Sequence, residues 1–152
     1  MNHDDLIRPF KAEDRTEVLR VFNLNCPQFF DPNEVKDLEQ YLDAFGDTYY
    51  VMEVEQKIIG CGGYHFEMDG TTGRLSWDFF DPNYKGRGLG RAMISHCLEE
   101  IRKNPDLKKI AVWTSQLASR FYAKFGFETV KEEKDYWGPS LHLYLMEMEA
   151  GR

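Results

Sequence analysis

The chain has 152 residues, of which 42% are hydrophobic and 14% aromatic, a size and composition typical of one globular domain with a buried core. We therefore expect a single domain over residues 1–152. The formal net charge of −7 argues against non-specific binding of nucleic acid and weakly favours a cationic substrate.

The cysteines and histidines predict no metal site. Cys26, Cys61 and Cys97 are far apart and form no CxxC pair, which also argues against a disulfide framework. The amino-terminal segment lacks the positive start and apolar run of a signal peptide, and no stretch approaches the roughly 18 apolar residues of a membrane span. We therefore expect a soluble, cytoplasmic protein with no membrane partner.

Hydrophobic periodicity and capping residues predict a mixed α/β chain. Asp31, Pro32 and Glu34 are typical of a helix start, because aspartate caps, proline suits the first helical position and glutamate the third. The predicted strands are 6–10, 48–54, 58–66, 74–80, 109–113, 127–132 and 141–148, and the predicted helices are 12–23, 32–45, 88–103 and 117–125. The order is βααβββαβαββ, with an antiparallel meander in the middle.

Residues 85–91, KGRGLGR, lie directly before the long predicted helix. Backbone N–H groups and the positive end of the helix dipole converge there, and glycine lets an anion approach the backbone, so the segment predicts a phosphate site. No Gly-Lys-Ser/Thr follows, and Arg91 replaces the last glycine of the dinucleotide fingerprint, so neither of those motifs is present. The alternative is a solvated turn that caps an ordinary helix.

Two segments resemble the GNAT superfamily of N-acetyltransferases. Residues 80–90, FDPNYKGRGLG, resemble that family's strand end followed by Arg/Gln-x-x-Gly-x-Gly/Ala, which binds the pyrophosphate of acetyl-CoA. Residues 114–127, TSQLASRFYAKFGF, resemble a second motif, Ala…Phe-Tyr…Gly-Phe. The resemblance implies a mostly antiparallel sheet flanked by helices, and an enzyme that transfers acetyl directly from acetyl-CoA to an amine in a ternary complex.

The resemblance also implies which residues bind acetyl-CoA. In the family, the strand before the loop splays from its neighbour, and its backbone holds the pantetheine arm and the thioester. The implied contacts are Asp78, Phe79, Phe80, Lys85, Gly86, Arg87, Gly88, Leu89, Gly90 and Arg91. The asparagine common in the family is replaced by Ser115, with Gln116 beside it, and the sequence leaves open which of the two binds a pantetheine amide.

Tyr122 matches the family tyrosine that lies near the coenzyme sulfur and acts as general acid. Acyl transfer also needs a neutral amine, and deprotonating a lysine-like amine of pKa about 10.4 at pH 7 costs roughly 4.6 kcal/mol, so a base is useful. Asp78 is our candidate base, with Glu67 as its rival. Strict alternation along the predicted strand 74–80 places Ser76, Asp78 and Phe80 on one face and Leu75, Trp77 and Phe79 on the other.

The acceptor is the least determined part of this hypothesis. It is an amine of a small molecule or a peptide, and we expect the first two helices and aromatic side chains to select it. Those aromatic residues are Phe29, Phe30, Tyr41, Tyr64, Tyr136 and Trp137, most of which we expect in the core. The alternative function is a non-catalytic CoA-binding sensor or interaction module. The resemblance to the family is also compatible with a homodimer.

Overall fold

The computed structural model describes residues 6–151, so the first part of the amino-terminal segment discussed above, residues 1–5, and residue 152 lie outside it. The strands are β1 (Ile7–Pro9), β2 (Tyr49–Val54), β3 (Lys57–Phe66), β4 (Thr72–Phe80), β5 (Lys109–Thr114), β6 (Glu128–Gly138) and β7 (Leu141–Glu149). The helices are α1 (Arg15–Leu24), α2 (Val35–Phe45), α3 (Leu89–Ile101) and α4 (Ser119–Ala123). The predicted order and the α/β fold class are confirmed.

The strands form one sheet in the order β1-β2-β3-β4-β5-β7-β6. Neighbouring strands are antiparallel except β4 and β5, which run parallel. The central strands β2, β3 and β4 form the predicted meander. Because β7 returns between β5 and β6, β6 lies at the sheet edge, where its exposed charged residues disfavour pairing with another chain.

Helices cover both faces of the sheet. The apolar residues of α3, including Met93, Cys97 and Ile101, recur at helical spacing and pack against one face. On the other face, Phe22 of α1 and Leu38 of α2 are fully buried against β2, β3 and β4. No helix of the described residues is long and apolar enough to cross a membrane.

The parallel pair β4 and β5 diverges halfway along its length. Pairing runs from Thr72 with Lys109 to Leu75 with Val112, and β4 then continues to Phe80 without a partner on the β5 side. The open half of β4 therefore has no strand partner on the β5 side, although Trp77 O and Phe80 O accept hydrogen bonds from Tyr49 Oη and Asn25 Nδ2.

A β-bulge at Trp77 changes which face each residue of β4 occupies. Gly63 pairs with Ser76 and Cys61 with Phe79, so Trp77 and Asp78 together oppose a single residue of β3. Trp77 has a φ of +53°, a left-handed conformation that absorbs the extra residue. The prediction of strict alternation was therefore wrong.

Packing shows how the bulge divides the strand. Leu75 and Phe80 pack with the α3 core, whereas Trp77 and Phe79 pack with the α1 and α2 core. Asp78 contacts Tyr122 on the α3 face. Asp78 thus lies on the same face as Leu75, although the alternating pattern placed the two residues on opposite faces.

Several element boundaries differ from the prediction, and two of the larger differences lie toward the carboxyl end. The helix predicted at 117–125 is limited to Ser119–Ala123, because hydrogen-bonded turns flank it. The strand predicted at 127–132 continues to Gly138, since its pairing with β7 resumes beyond a register shift between Glu133 and Gly138. The charged segment 131–135 is thus part of an exposed strand.

Candidate active site

A cavity of about 1300 Å³ opens where β4 and β5 diverge. We call its two parts the α3 side and the α2 side, after the helices that form them. Lining residues of the α3 side include Asp78, Phe80, Lys85, Gly86, Gly88, Leu89, Gly90, Arg91, Ser115, Phe121, Tyr122 and Lys124. Those of the α2 side include Phe29, Phe30, Glu34, Asp37, Gln40, Tyr41, Phe45, Arg74, Trp77, Trp113, Tyr136 and Trp137.

The glycine-rich loop presents free backbone donors on the α3 side. Gly86 and Gly88 have φ values of +81° and +76°, which side chains adopt only with strain, and Gly88 caps the 13-residue helix α3. Within the described residues, the backbone N–H groups of residues 86–91 have no hydrogen-bond acceptor. Together with the helix dipole, these donors form a site for an anion.

The three cations of the loop are placed differently. Lys85 and Arg91 are exposed and line the cavity. Arg87 is exposed outside the lining, with its guanidinium carbon 5.0 Å from the centre of the Tyr84 ring. The structure therefore brings Lys85 and Arg91 to the anion site directly, and Arg87 only to its rim.

A tyrosine–aspartate pair lies where β4 and β5 separate. Tyr122 Oη donates a hydrogen bond to the carboxylate of Asp78 and lies 2.5 Å from each of its oxygens. The two residues are 44 positions apart in the sequence. The bulge turns Asp78 toward α4, and the T-shaped packing of Tyr122 against Phe121 and Phe127 orients the phenol.

The same pair is poorly solvated, and this changes both of its pKa values. Burial raises the pKa of Asp78 above its usual value, although the hydrogen bond from Tyr122 opposes the shift. Burial and the neighbouring carboxylate raise the pKa of Tyr122 well above 10. At neutral pH the phenol therefore keeps its proton, and Asp78 is a stronger base than an ordinary exposed carboxylate.

A close approach of β3 keeps Asp78 in place. A Cβ atom added to Gly62 would lie 3.0 Å from the Asp78 Cβ atom and 2.9 Å from Met93 Cγ. The glycine therefore leaves the room that the carboxylate and the α3 core need. Glu67, the rival base, is not among the described residues that line the cavity.

Ser115 and Gln116, the two candidates for the asparagine position, have different surroundings. Ser115 lines the cavity, and its hydroxyl accepts a hydrogen bond from the Leu117 N–H at 3.2 Å. Gln116 is not among the lining residues, and its amide binds the β6–β7 hairpin at Ser140 O, at 2.7 Å, and at His142 N, at 3.0 Å. Of the two side chains, only that of Ser115 lines the cavity.

Most of the aromatic residues proposed for acceptor selection line the cavity, although we expected most of them in the core. Phe29, Phe30, Tyr41, Tyr136 and Trp137 are on the α2 side. Tyr64 instead packs in the core on the α3 face. The hairpin reaches the cavity because Trp137 Nε1 donates a hydrogen bond to Thr114 O at 3.1 Å and Tyr136 packs on Trp113.

Other reactive side chains lie away from this chemistry. Burial raises the pKa of the Cys61 and Cys97 thiols, which disfavours their nucleophilic thiolate forms. Burial lowers the pKa of His65 to about 4, so this ring, stacked on Phe45 at 4.4 Å, is neutral at pH 7. No group of three or more His, Cys, Asp or Glu side chains within residues 6–151 is placed to hold a metal.

Glu34 on the α2 side gives the stability of the chain a pH dependence. Its Oε2 atom accepts a hydrogen bond from Asp31 N at 2.9 Å, as predicted for the start of this helix, and burial raises its pKa from 4.5 to about 7. Because the folded-state pKa is raised, ionisation destabilises the fold. The cost is absent below pH 4.5 and reaches its full size above pH 7.

We expect the variant Glu34→Gln to be more stable than the wild type at pH 8, by about 1–3 kcal/mol of unfolding free energy and with a higher Tm, and to have no advantage at pH 4. Glutamine keeps the capping hydrogen bond and removes the buried charge. Thermal denaturation at the two pH values measures the difference, and Glu99→Gln on the exposed face of α3 is the control. An equal gain at both pH values would contradict the assignment to the Glu34 charge.

Comparisons with known proteins agree with this geometry. The sequence matches the acetyltransferase (GNAT) family over residues 18–127. An acetyltransferase from Sodalis glossinidius, SG1711, is 28% identical over 130 residues, which are 83% of this chain and 82% of that protein.

Two solved structures share the fold. Ard1 from Thermoplasma volcanium superposes with a TM-score of 0.78 at 19% identity and covers 96% of this chain and 97% of its own. An aminoglycoside 6'-N-acetyltransferase complexed with coenzyme A superposes with a TM-score of 0.76 at 11% identity, over 96% of this chain and 97% of its own. The family match covers more than half of the residues of this chain. The chain therefore belongs to the acetyltransferase (GNAT) family of N-acetyltransferases.

Proposed function

We propose that this chain transfers the acetyl group of acetyl-CoA directly to an amine in a ternary complex, with Asp78 as general base and Tyr122 as general acid. The observation that carries the proposal is the hydrogen-bonded pair of Tyr122 and Asp78 in the same cavity as the free N–H groups of residues 86–91. The loop would bind the pyrophosphate, and Ser115 would contact the pantetheine arm. A cytoplasmic location and a homodimer stay predictions.

The raised pKa values explain why the two residues work as a unit. While Asp78 is charged, Tyr122 is a weak acid, and giving its proton to a thiolate of ordinary pKa near 8.5 is uphill. Once Asp78 has taken a proton from the attacking amine, its negative charge no longer holds the phenol proton. Tyr122 can then protonate the departing sulfur and recover a proton from Asp78.

The proton balance of this scheme closes. An acceptor that arrives as an ammonium ion first loses one proton to solvent, through Asp78. The neutral amine nitrogen then bonds to the acetyl carbon, the carbon–sulfur bond breaks, and a second proton passes from nitrogen to sulfur through Asp78 and Tyr122. The products are an acetamide and CoA thiol, and the pair returns to its starting state. The buried thiols of Cys61 and Cys97 take no part, in agreement with direct transfer.

The proposal is tested by measuring CoA thiol release with a broad panel of small-molecule and peptide amines. We expect amine-dependent release, with initial rates whose double-reciprocal lines intersect, as a ternary complex requires. Parallel lines would indicate an acetylated enzyme and contradict direct transfer. Binding of acetyl-CoA without release for any amine would favour the non-catalytic CoA-binding module.

Reversing the charge of Arg91 tests the anion site. We expect Arg91→Glu to raise the Kd for CoA about 10- to 100-fold, because a charge-assisted contact to phosphate is replaced by repulsion. Isothermal titration calorimetry measures this, with Arg120→Glu, an exposed residue of α4 outside the lining, as control. Unchanged affinity in the Arg91 variant would mean that the loop is the solvated turn considered above.

A further inference from the structure

Arg74 lies on the α2 side of the cavity and has no role in the scheme above. It lies on β4 opposite Ala111 of β5, one residue before the pairing between the two strands ends. Its guanidinium carbon lies 3.9 Å from the centre of the Trp113 ring. Among the described residues that line the α2 side, Arg74 is the only one that carries a positive charge at pH 7.

The side chain of Arg74 lacks the oxygen partners that a buried guanidinium requires. Its Nε atom is buried without a hydrogen bond, and within residues 6–151 no carboxylate lies within 4 Å of its nitrogens. Glu67 acts on it only through longer-range attraction. The guanidinium is poorly solvated, and one of its faces lies on an aromatic ring. The N–H groups along its edge can still donate hydrogen bonds to an anion.

The other partly buried arginines of this chain do have such partners. Arg8 donates to both Asp14 and Glu53, Arg15 to Asp43, and Arg20 to Glu17. All four arginines are half-buried, and Arg74 is the one of the four without an ion pair in the part of the chain that the structure describes. Arg74 differs from the others in that it lines the cavity.

We propose that the acetyl acceptor is an amine that also carries a carboxylate, such as an amino acid or a short peptide with a free carboxyl end, and that Arg74 binds this carboxylate. The inference rests on the proposed acetyl transfer at this cavity. A guanidinium and a carboxylate match in charge and in planar two-point geometry. Arg74 and Asp78 both line the cavity that opens between β4 and β5, so an acceptor that extends from the α2 side into the gap between the strands can present its carboxylate to Arg74 and its amine to Asp78.

The surroundings favour a single negative charge over a phosphate group. Glu34 and Asp37 line the same side and would repel a dianion more strongly than a carboxylate. The remaining walls near Arg74 are aromatic, from Trp113, Tyr136 and Trp137. They suit an acceptor with an apolar body between its charged ends.

The test compares amino acids with their matching carboxamides, and with O-phosphoethanolamine as a phosphate-bearing amine. For the wild type we expect kcat/KM to be about 30-fold higher for the carboxylate than for its amide, the size of one charge-assisted contact. In Arg74→Gln this preference should vanish through a higher KM for the carboxylate. Arg74→Lys should keep part of the preference, because lysine retains the positive charge but lacks the paired N–H donors of a guanidinium.

The outcomes separate this inference from the proposed function. Equal turnover of acids and amides by the wild type would overturn the role of Arg74 and leave acetyl transfer intact, and so would a preference for O-phosphoethanolamine. Absence of turnover with every amine, while CoA still binds, would overturn the proposed function itself. The wild-type comparison needs no variant, so it holds even if an Arg74 substitution prevents folding.

Discussion

Replacing Tyr122 by phenylalanine is expected to lower kcat for acetyl transfer on the order of 10³-fold at pH 7, the usual size of a general acid's contribution. The variant keeps the ring that packs on Phe121 and Phe127 and removes only the hydroxyl that donates to Asp78. Steady-state thiol release with an acceptor from the panel measures the effect. The Kd for CoA should stay within about twofold, since the loop of residues 86–91 is untouched.

Tyr144→Phe on β7 is the matched control, because Tyr144 is not among the described residues that line the cavity. It should retain wild-type kcat. A Tyr122→Phe variant with full kcat would remove Tyr122 as the acid and leave water as the proton donor. An equal loss in both variants would indicate a structural effect of the missing hydroxyl groups.

Replacing Asp78 by asparagine is expected to lower kcat on the order of 10²-fold at pH 7, and the deficit should shrink as the pH rises toward 10. Asparagine can still accept the hydrogen bond from Tyr122, but it cannot take a proton from the amine. At high pH the amine loses its proton to solvent, so the base matters less. A pH–rate profile of kcat/KM measures the change in slope.

Glu67→Gln is the control for the base, since Glu67 is the rival carboxylate and does not line the cavity. It should leave the pH–rate profile unchanged. A parallel loss of activity at every pH in Asp78→Asn would assign Asp78 a positioning role. A loss confined to Glu67→Gln would reverse the two assignments.

The same substitution, Asp78→Asn, is expected to raise the stability of the fold while it lowers kcat. Burial raises the folded-state pKa of Asp78, so the charged carboxylate destabilises the fold, and this cost appears as the pH rises above about 4. Asp78→Asn should therefore have a higher Tm than the wild type at pH 7, and a smaller advantage as the pH falls toward 4. The wild-type Asp78 carboxylate would then support activity while it lowers the stability of the fold, as is common at active sites.

Local signals were sufficient for the order of the elements and for the anion loop. The capping box at Asp31 and the helical spacing of α3 depend on residues a few positions apart, and both elements form where predicted. The glycines at 86 and 88 likewise have the left-handed backbone that only glycine adopts easily. The family resemblance, carried by two short motifs, named most of the residues that line the α3 side, but it also named Arg87 and Gln116, which are not among the lining residues.

The α2 side of the cavity depends on contacts that no local pattern contains. Asp78 lies on the α3 face because of the bulge in β4. A bulge is defined by the register between two strands, so the sequence of β4 without that of its partner β3 does not predict it. Gln116 binds the hairpin because β6 and β7 fold back beside β5. Arg74 stands out for the same reason, since a missing partner is visible only once all of its neighbours are in place.

Caps, hydrophobic periodicity and two short motifs were thus enough to predict the fold class, the family and the position of the glycine-rich loop that we propose binds acetyl-CoA, because these signals act over one or two turns of chain. The tertiary structure decided which face Asp78 occupies, which polar residue near 115 reaches the cavity, and which arginine lacks a carboxylate. These properties depend on register, burial and distances between residues far apart in the chain. They are also the properties that bear on the acceptor.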